Sequence, residues 1–316
     1  MMLVFRISLI SLLFFLFNSC TKHESLDYHD YIKISDKELT GIWFTDLNQA
    51  FVVGGTTWSA GITASTKDAW KNWQLDSLSD KELFCISGTP NGQVIGMGIE
   101  LWAYHLNEIP IRIQKLKHVG PFRFVRSIAA YSNELVMSVN ANGNGSIERF
   151  SIYADSTQTV FESRHELNAI CYLDSLNWLA GGYGLVVHSK NGGESWDTLD
   201  IQGDQFVDFS KTVHGSLFML GVAGTVYKIT NNPLRFEKIR KGGVIGSQAP
   251  LHAICFKDAN EGMIAGENGF IQITRNSGDD WIVVDDLPVF DVKDIFFDGT
   301  IYWLCGSEGT IMSLKI

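Results

Sequence analysis

Seven copies of one apolar unit, spaced about 42 residues apart, and a body without helical periodicity predict an all-β chain. The predicted architecture is a seven-bladed β-propeller, its ring closed by an N-terminal strand joining the last blade. In each unit a short apolar stretch comes first, centred in turn on Ile42, Phe84, Ile128, Ile170, Phe209, Ile254 and Ile295. A second apolar run follows and mostly ends in Gly: "VVGG", "VIGMG", "VMSVN", "WLAGG", "MLGVAG", "MIAGENG" and "WLCGSEG". A third alternating run comes next, as in "LVVHSK" and "FIQITR", then a turn and a Trp-led or polar strand. One such sheet cannot bury both faces alone, whereas a closed ring of them can. The last unit stops after its third strand. The alternating stretch "DYIKIS", 30–35, is the strand expected to complete it, with Tyr31–Ile34 pairing against Thr310–Leu314.

The first twenty residues differ from the rest. One Arg precedes an apolar run, Ile7–Phe17, and small polar residues lead to Cys20. This is the layout of an export signal, too short for a comfortable membrane span. The stretch "LFNSC" resembles a bacterial lipobox, with Phe17 in place of the usual Leu. That resemblance implies acylation at Cys20 and a lipoprotein of the bacterial cell envelope. The domain expectation is therefore a signal peptide over 1–19, a lipid-anchored tether over 20–29 and the propeller over 30–316. A formal charge of −10 argues against nucleic acid as a partner. Cys85, Cys171 and Cys255 read as one register of the first strand in alternate blades. Equivalent positions on non-adjacent blades lie too far apart for a disulfide. Those three and Cys305 are expected to be buried, unreactive thiols. No Cys-x-x-Cys pair suggests zinc, and no metal or cofactor is implied.

Three turns share a pattern. "SKNGGESW" carries Ser189, Asn191, Gly193 and Trp196, and "TRNSGDDW" carries Thr274, Asn276, Gly278 and Trp281. "TKDAWKNW" is a divergent copy with Thr66, Asp68 and Trp73, and Trp70 where Gly is due. Hydroxyl and Asn/Asp side chains bond their own backbone and stabilise tight turns, Gly supplies positive φ, and the Trp is expected to pack between blades. These stretches resemble the Asp-box, or BNR repeat. The longer units around them resemble the repeat of propellers related to the photosystem II stability/assembly factor. The resemblance spans residues 36–316 and is strongest in blades four and six. It implies a binding scaffold or assembly factor without catalysis.

Sialidases also carry Asp-boxes on propellers, so a divergent glycan-binding or glycan-hydrolysing propeller is the alternative. Their three-Arg grip has no matching segment here; Arg123 and Arg126 in "PFRFVR" are the arginines placed near the axis. No HExxH, GxSxG or phosphate-binding loop occurs. Glu100, Glu267 and Glu308 follow second strands and are expected on one face, as ordinary turn residues or as a cation site. The same face should carry Trp58, Trp102, Tyr183, Asn268 and, from connecting loops, Arg123, Arg126 and His252. Aromatic and Arg side chains at an exposed rim are the residue types of interaction hot spots. The expected partner is a protein of the cell envelope, or a glycan, bound by a monomer.

Overall fold

The computed structural model describes residues 21–316 apart from 118–121, 132–133, 245 and 247–248. Cys20 and the stretch expected to be an export signal lie outside the described residues. Two strands come first, β1 (Lys22–Ser25) and β2 (Tyr28–Lys33). Blade one is β3 (Glu38–Phe44), β4 (Ala50–Thr56), β5 (Ala60–Thr66) and β6 (Trp73–Ser79). Blade two is β7 (Leu83–Gly88), β8 (Val94–Gly98), β9 (Trp102–His105) and β10 (Arg112–Lys115). Blade three is β11 (Phe124–Tyr131), β12 (Glu134–Ala141), β13 (Asn144–Ser151) and β14 (Gln158–Ser163). Blade four is β15 (Leu167–Tyr172), β16 (Trp178–Gly182), β17 (Leu185–Ser189) and β18 (Asp197–Leu199). Blade five is β19 (Phe206–Lys211), β20 (Leu217–Gly221), β21 (Val226–Asn231) and β22 (Leu234–Arg240). Blade six contains β23 (Leu251–Phe256), β24 (Gly262–Gly266), β25 (Ile271–Thr274) and β26 (Ile282–Asp285). Blade seven contains β27 (Val292–Phe297), β28 (Tyr302–Gly306) and β29 (Thr310–Leu314).

The chain is a seven-bladed β-propeller, closed as the alternation of 30–35 predicts. Strand β2 pairs antiparallel with β29, with Tyr31 opposite Met312, Ile32 opposite Ile311 and Lys33 opposite Thr310. Ser313 donates to Asp30 at 2.6 Å across the same pair. The segment 20–29, expected as a tether, contains a further strand: β1 runs parallel to β26 and gives blade six a fifth strand. Its sequence "KHES" has no apolar face, so no periodicity announces it. Ion pairs hold it instead, Lys22 with Asp280 at 2.8 Å and Glu24 with Arg275 at 2.7 Å.

Every inner strand starts with the same β-bulge. The ladder skips one residue in each blade: Thr40, Phe84, Arg126, Asn168, Val207, His252 and Lys293. A bulge leaves one residue unpaired and re-aims its side chain. Blade two corrects the sequence register. Phe84 is the bulged residue there, and Ile86, opposite Gly96, occupies the place held by Ile42 and Ile128 elsewhere. Cys85 therefore does not share the register of Cys171 and Cys255; it aligns with Gly41, Ser127, Asp208 and Asp294. All four described thiols are free. Burial pushes the Cys85 and Cys171 thiols up to about 12.

The core is divided by the ring. Buried apolar side chains form one cluster at each interface between neighbouring blades, for example Leu179, Phe206 and Met219 between blades four and five. Phe218 of blade five and Phe256 of blade six stack with centroids 3.6 Å apart. The glycine ending the second strand sits where strand one enters. A Cβ on Gly54 would come within 2.0 Å of the Glu38 carbonyl oxygen, and one on Gly306 within 1.8 Å of that of Asp291.

The three hydroxyl-rich turns share one hydrogen-bond pattern. Ser189 Oγ accepts the Gly193 N–H at 2.8 Å, Thr274 Oγ1 accepts that of Gly278 at 2.9 Å, and Thr66 Oγ1 accepts that of Trp70 at 3.0 Å. Asn191, Asn276 and Asp68 accept the N–H four residues on, at 3.0, 2.9 and 2.8 Å. Trp196 and Trp281 pack against the clusters between blades three and four and between five and six. The divergent turn differs. Trp73 is 40% exposed, and Trp70, at φ 65°, is buried at 3% beside Phe44 and Trp303. A residue at the glycine position thus supplies the inter-blade indole in blade one. Trp70→Ala should cost about 3–5 kcal/mol in urea unfolding, whereas Trp73→Ala should stay within about 0.5 kcal/mol. Equal losses would show that the two indoles share the packing.

Candidate functional site: the upper face and the axial channel

The upper face is defined here as the side where inner strands begin and where second strands turn into third strands. The seven bulges aim their side chains at the channel mouth on this face. Thr40, Phe84, Arg126, Asn168, Val207, His252 and Lys293 line a chamber of about 150 Å³. Below it, the later residues of the inner strands line a larger cavity of about 460 Å³, among them Trp43, Tyr172, Lys211 and Phe296. Asp208 and Asp294 border both chambers.

These two carboxylates join blades. Asp294 Oδ2 accepts the N–H of Ile42 in blade one at 2.9 Å, and its Oδ1 accepts that of Ile295 at 2.8 Å. Asp208 likewise accepts from Ile254 in blade six at 2.9 Å and from Phe209 at 2.7 Å. Ser127 Oγ takes the same role toward Ile170 at 3.3 Å. Burial outweighs these bonds. It lifts the Asp294 carboxyl to about 7 and, with the charge of Asp294 adding to it, holds Asp208 well above the usual carboxylate range.

The upper face gathers some of the residues expected on it and separates others. Arg126 stands in the mouth with its guanidinium over the rings of Phe84 at 4.7 Å and Phe124 at 5.5 Å. Burial lowers its pKa, and Glu166 and Glu82 act on it only at a distance. Trp58, 48% exposed, meets Phe122 edge-on at 4.7 Å and Phe124 at 5.9 Å. One run therefore extends from Arg126 through Phe84, Phe124 and Phe122 to Trp58. Phe84 and Phe122 were not singled out from sequence. Phe122 adjoins Arg123 in "PFRFVR", and Phe84 was read as a core anchor because the bulge was not foreseen.

The other predicted residues have local duties. Arg123 is tied by an ion pair to Glu148, which is fully buried and also accepts from Thr157 at 2.5 Å. Trp102 lies under two ammonium groups, Lys115 at 3.9 Å and Lys81 at 4.7 Å. Tyr183 is 55% exposed at the turn of blade four. Glu100, Glu267 and Glu308 each face a separate basic side chain: Lys81 at 3.5 Å, His252 at 3.4 Å, and Lys33. Burial and the charge of Lys293 push the His252 imidazole down, which weakens its pairing with Glu267 at neutral pH. Asn268 and Glu308 hold positive φ in their turns, at 58° and 55°. Among the described residues no group of three His, Cys, Asp or Glu could hold a metal ion. Arg126 alone among the described arginines lines the upper chamber.

Asp208 and Asp294 were missed. A charged residue one place before an apolar anchor read as strand polarity; the signal was its occurrence in "VDFSK" and "KDIFF" where other blades have Gly, Ala, Ser or Cys. Their titration has a sign. The folded state holds a proton on Asp294 between the ordinary pKa of 3.8 and about 7, and the unfolded state does not. Stability from this group is full at the acid end of that window and falls as pH rises through it. Asp294→Asn should flatten the fall in Tm between those limits. An unchanged slope would show that Asp294 ionises without cost in the folded ring.

No family model matches the chain, and no curated protein matches it. Solved structures do. A YCF48 propeller bound to a D1 peptide is 17% identical with a TM-score of 0.69, covering 92% of this chain and 99% of that one. The WD40 propeller domain of Doa1 is 10% identical with a TM-score of 0.69, covering 92% and 97%. Virginiamycin B lyase from Staphylococcus aureus is 13% identical with a TM-score of 0.68, covering 92% and 100%. At these identities the likeness is one of fold, and it agrees with the ring of seven blades.

Proposed function

We propose that this chain is an exported, lipid-anchored propeller of the cell envelope that binds a protein partner through its upper face, as a scaffold or assembly factor. The observation that carries this reading is Arg126. It is a guanidinium without an ion-pair partner among the described residues, set at the channel mouth and continuous with the exposed aromatic run ending at Trp58. Such a combination offers a desolvated charge-assisted contact beside apolar area, the usual make-up of a binding hot spot. The solved YCF48 propeller with its D1 peptide gives precedent on the same fold for recognising a peptide. Acylation at Cys20 and the cell-envelope location follow from the sequence of the first twenty residues, and a monomeric propeller suffices for the proposed docking.

The test is capture from native membranes with the intact protein. Trp58→Ala and Arg126→Ala should each weaken capture of a partner by about tenfold or more. Trp102→Ala, outside the run and beneath its two lysines, should leave capture unchanged. Equal capture by all three folded variants would remove the upper patch as the docking surface.

A further inference from the structure

We infer that the lower face of the propeller, on the blade-six side, is the side that lies against the lipid bilayer, so that the upper patch is held away from it. The inference rests on the anchor reading above and adds an orientation to it.

Strand β1 fixes the geometry. Lys22 pairs with Ile282, the first residue of β26, and its ammonium meets Asp280 in the turn before that strand. That turn, between third and fourth strands, belongs to the lower face, as do the turns between first and second strands. Because β1 runs parallel to β26, the chain that precedes Lys22 leaves past this turn, at the lower rim of blade six. Only residue 21 separates Lys22 from Cys20, so the acylation site is within about 7 Å of strand β1 along the chain. No slack is available for the ring to turn over.

The strap is polar and pinned at each residue. Beyond Lys22, His23 bonds Asp285 at 2.7 Å, Glu24 forms a two-pronged pair with Arg275 at 2.7 and 2.8 Å, and Ser25 donates to Asp286 at 2.6 Å. Leu26 then packs on the cluster between blades six and seven, and β2 continues into the closing strand. The lower turns expose apolar tips toward the same side: Leu47, Ile109, Tyr153, Leu176 and Val213, the last 90% exposed. The upper face exposes apolar side chains as well, so these tips alone would not choose a side. The exit of the anchor does, and single apolar tips suit shallow insertion at an interface.

Two valines flank blade six on opposite faces, Val213 below and Val289 above, both strongly exposed. The acylated full-length protein carrying Val213→Cys or Val289→Cys would be labelled with a fluorophore and bound to phosphatidylcholine vesicles containing a headgroup-nitroxide lipid. Cys305 is buried but Cys85, Cys171 and Cys255 are part-exposed, contrary to the sequence expectation, so protein without the added cysteine serves as the labelling control. Quenching should be severalfold stronger at position 213 than at 289. Lys22→Glu/Glu24→Arg, which sets like charges against Asp280 and Arg275, should abolish that difference while the protein still floats with the vesicles. Adding Arg275→Glu/Asp280→Lys should restore it. Flotation with equal or reversed quenching would overturn the orientation and leave the anchor standing. Failure to float, in native protein as in Cys20→Ala, would overturn the anchor and the orientation together.

Discussion

The bulge at the start of each inner strand is the constraint on which the rest of the ring depends. An inner strand is an edge, and its outer row of backbone groups faces the channel, where no further strand can pair with it. By skipping one residue, each blade turns a side chain into the channel mouth and moves the next residue toward its neighbour. At that second position Ser127, Asp208 and Asp294 reach the following blade and accept its N–H groups. Gly41 fills the same position in blade one, where a Cβ would come within 2.8 Å of Ile86. Long acceptors and a bare glycine are two solutions to one packing problem. In three blades a side chain bridges the gap to the next strand; in blade one the Ile86 methyl group takes up that space instead.

Buried carboxylates are an expensive way to join blades. Each oxygen of Asp208 and Asp294 accepts a backbone N–H, yet burial still drives both groups toward the protonated form. A neutral hydroxyl, as at Ser127, makes the strap without that penalty. What the carboxylate adds is reach and a second bond: it accepts from its own strand and from the next blade at once, fixing the angle between them. The cost of desolvation is thus set against two backbone groups that would otherwise face the channel unpaired.

The seven blades and their closure were legible in the sequence because both follow from periodicities that burial enforces. Ile42, Ile128, Ile170, Ile254 and Ile295 recur because each must fill an interface, and "DYIKIS" alternates because Ile32 and Ile34 turn into the cluster that holds Ile311, while Tyr31 and Lys33 lie on the exposed face. What stayed hidden had no periodic cause. Phe84 looked like the anchor of its blade because it is apolar, and only the bulge shows that Ile86 takes that place. The "KHES" strand pairs through charges about 250 residues distant, a separation no local pattern can announce. Trp70 and Trp73 stand three apart, and the choice of which indole is buried is made by a turn that accepts positive φ at Trp70. The site was half legible for the same reason: Trp58 and Arg126 were visible as residue types, whereas of the rings that connect them Phe84 had been read as a core anchor and Phe122 and Phe124 had been given no role.

The upper turns carry a further cost that bears on function. Blades four and five put glycine at the left-handed position, Gly184 and Gly224, where positive φ is free. Five other blades hold Trp58, Glu100, Asn142, Asn268 and Glu308 there instead. A residue with a Cβ loses roughly 1–2 kcal/mol in that conformation, less for Asn. At Asn268 and Glu308 the next residue is Gly269 or Gly309, so one strained position is followed by one that is not. Trp58 has no such relief, and its indole is half exposed rather than packed in the core. Stability alone would favour glycine at that position. The indole is held outward on this strained turn, touching Phe122 and Phe124 on the run back to Arg126, which is where the proposed docking surface lies.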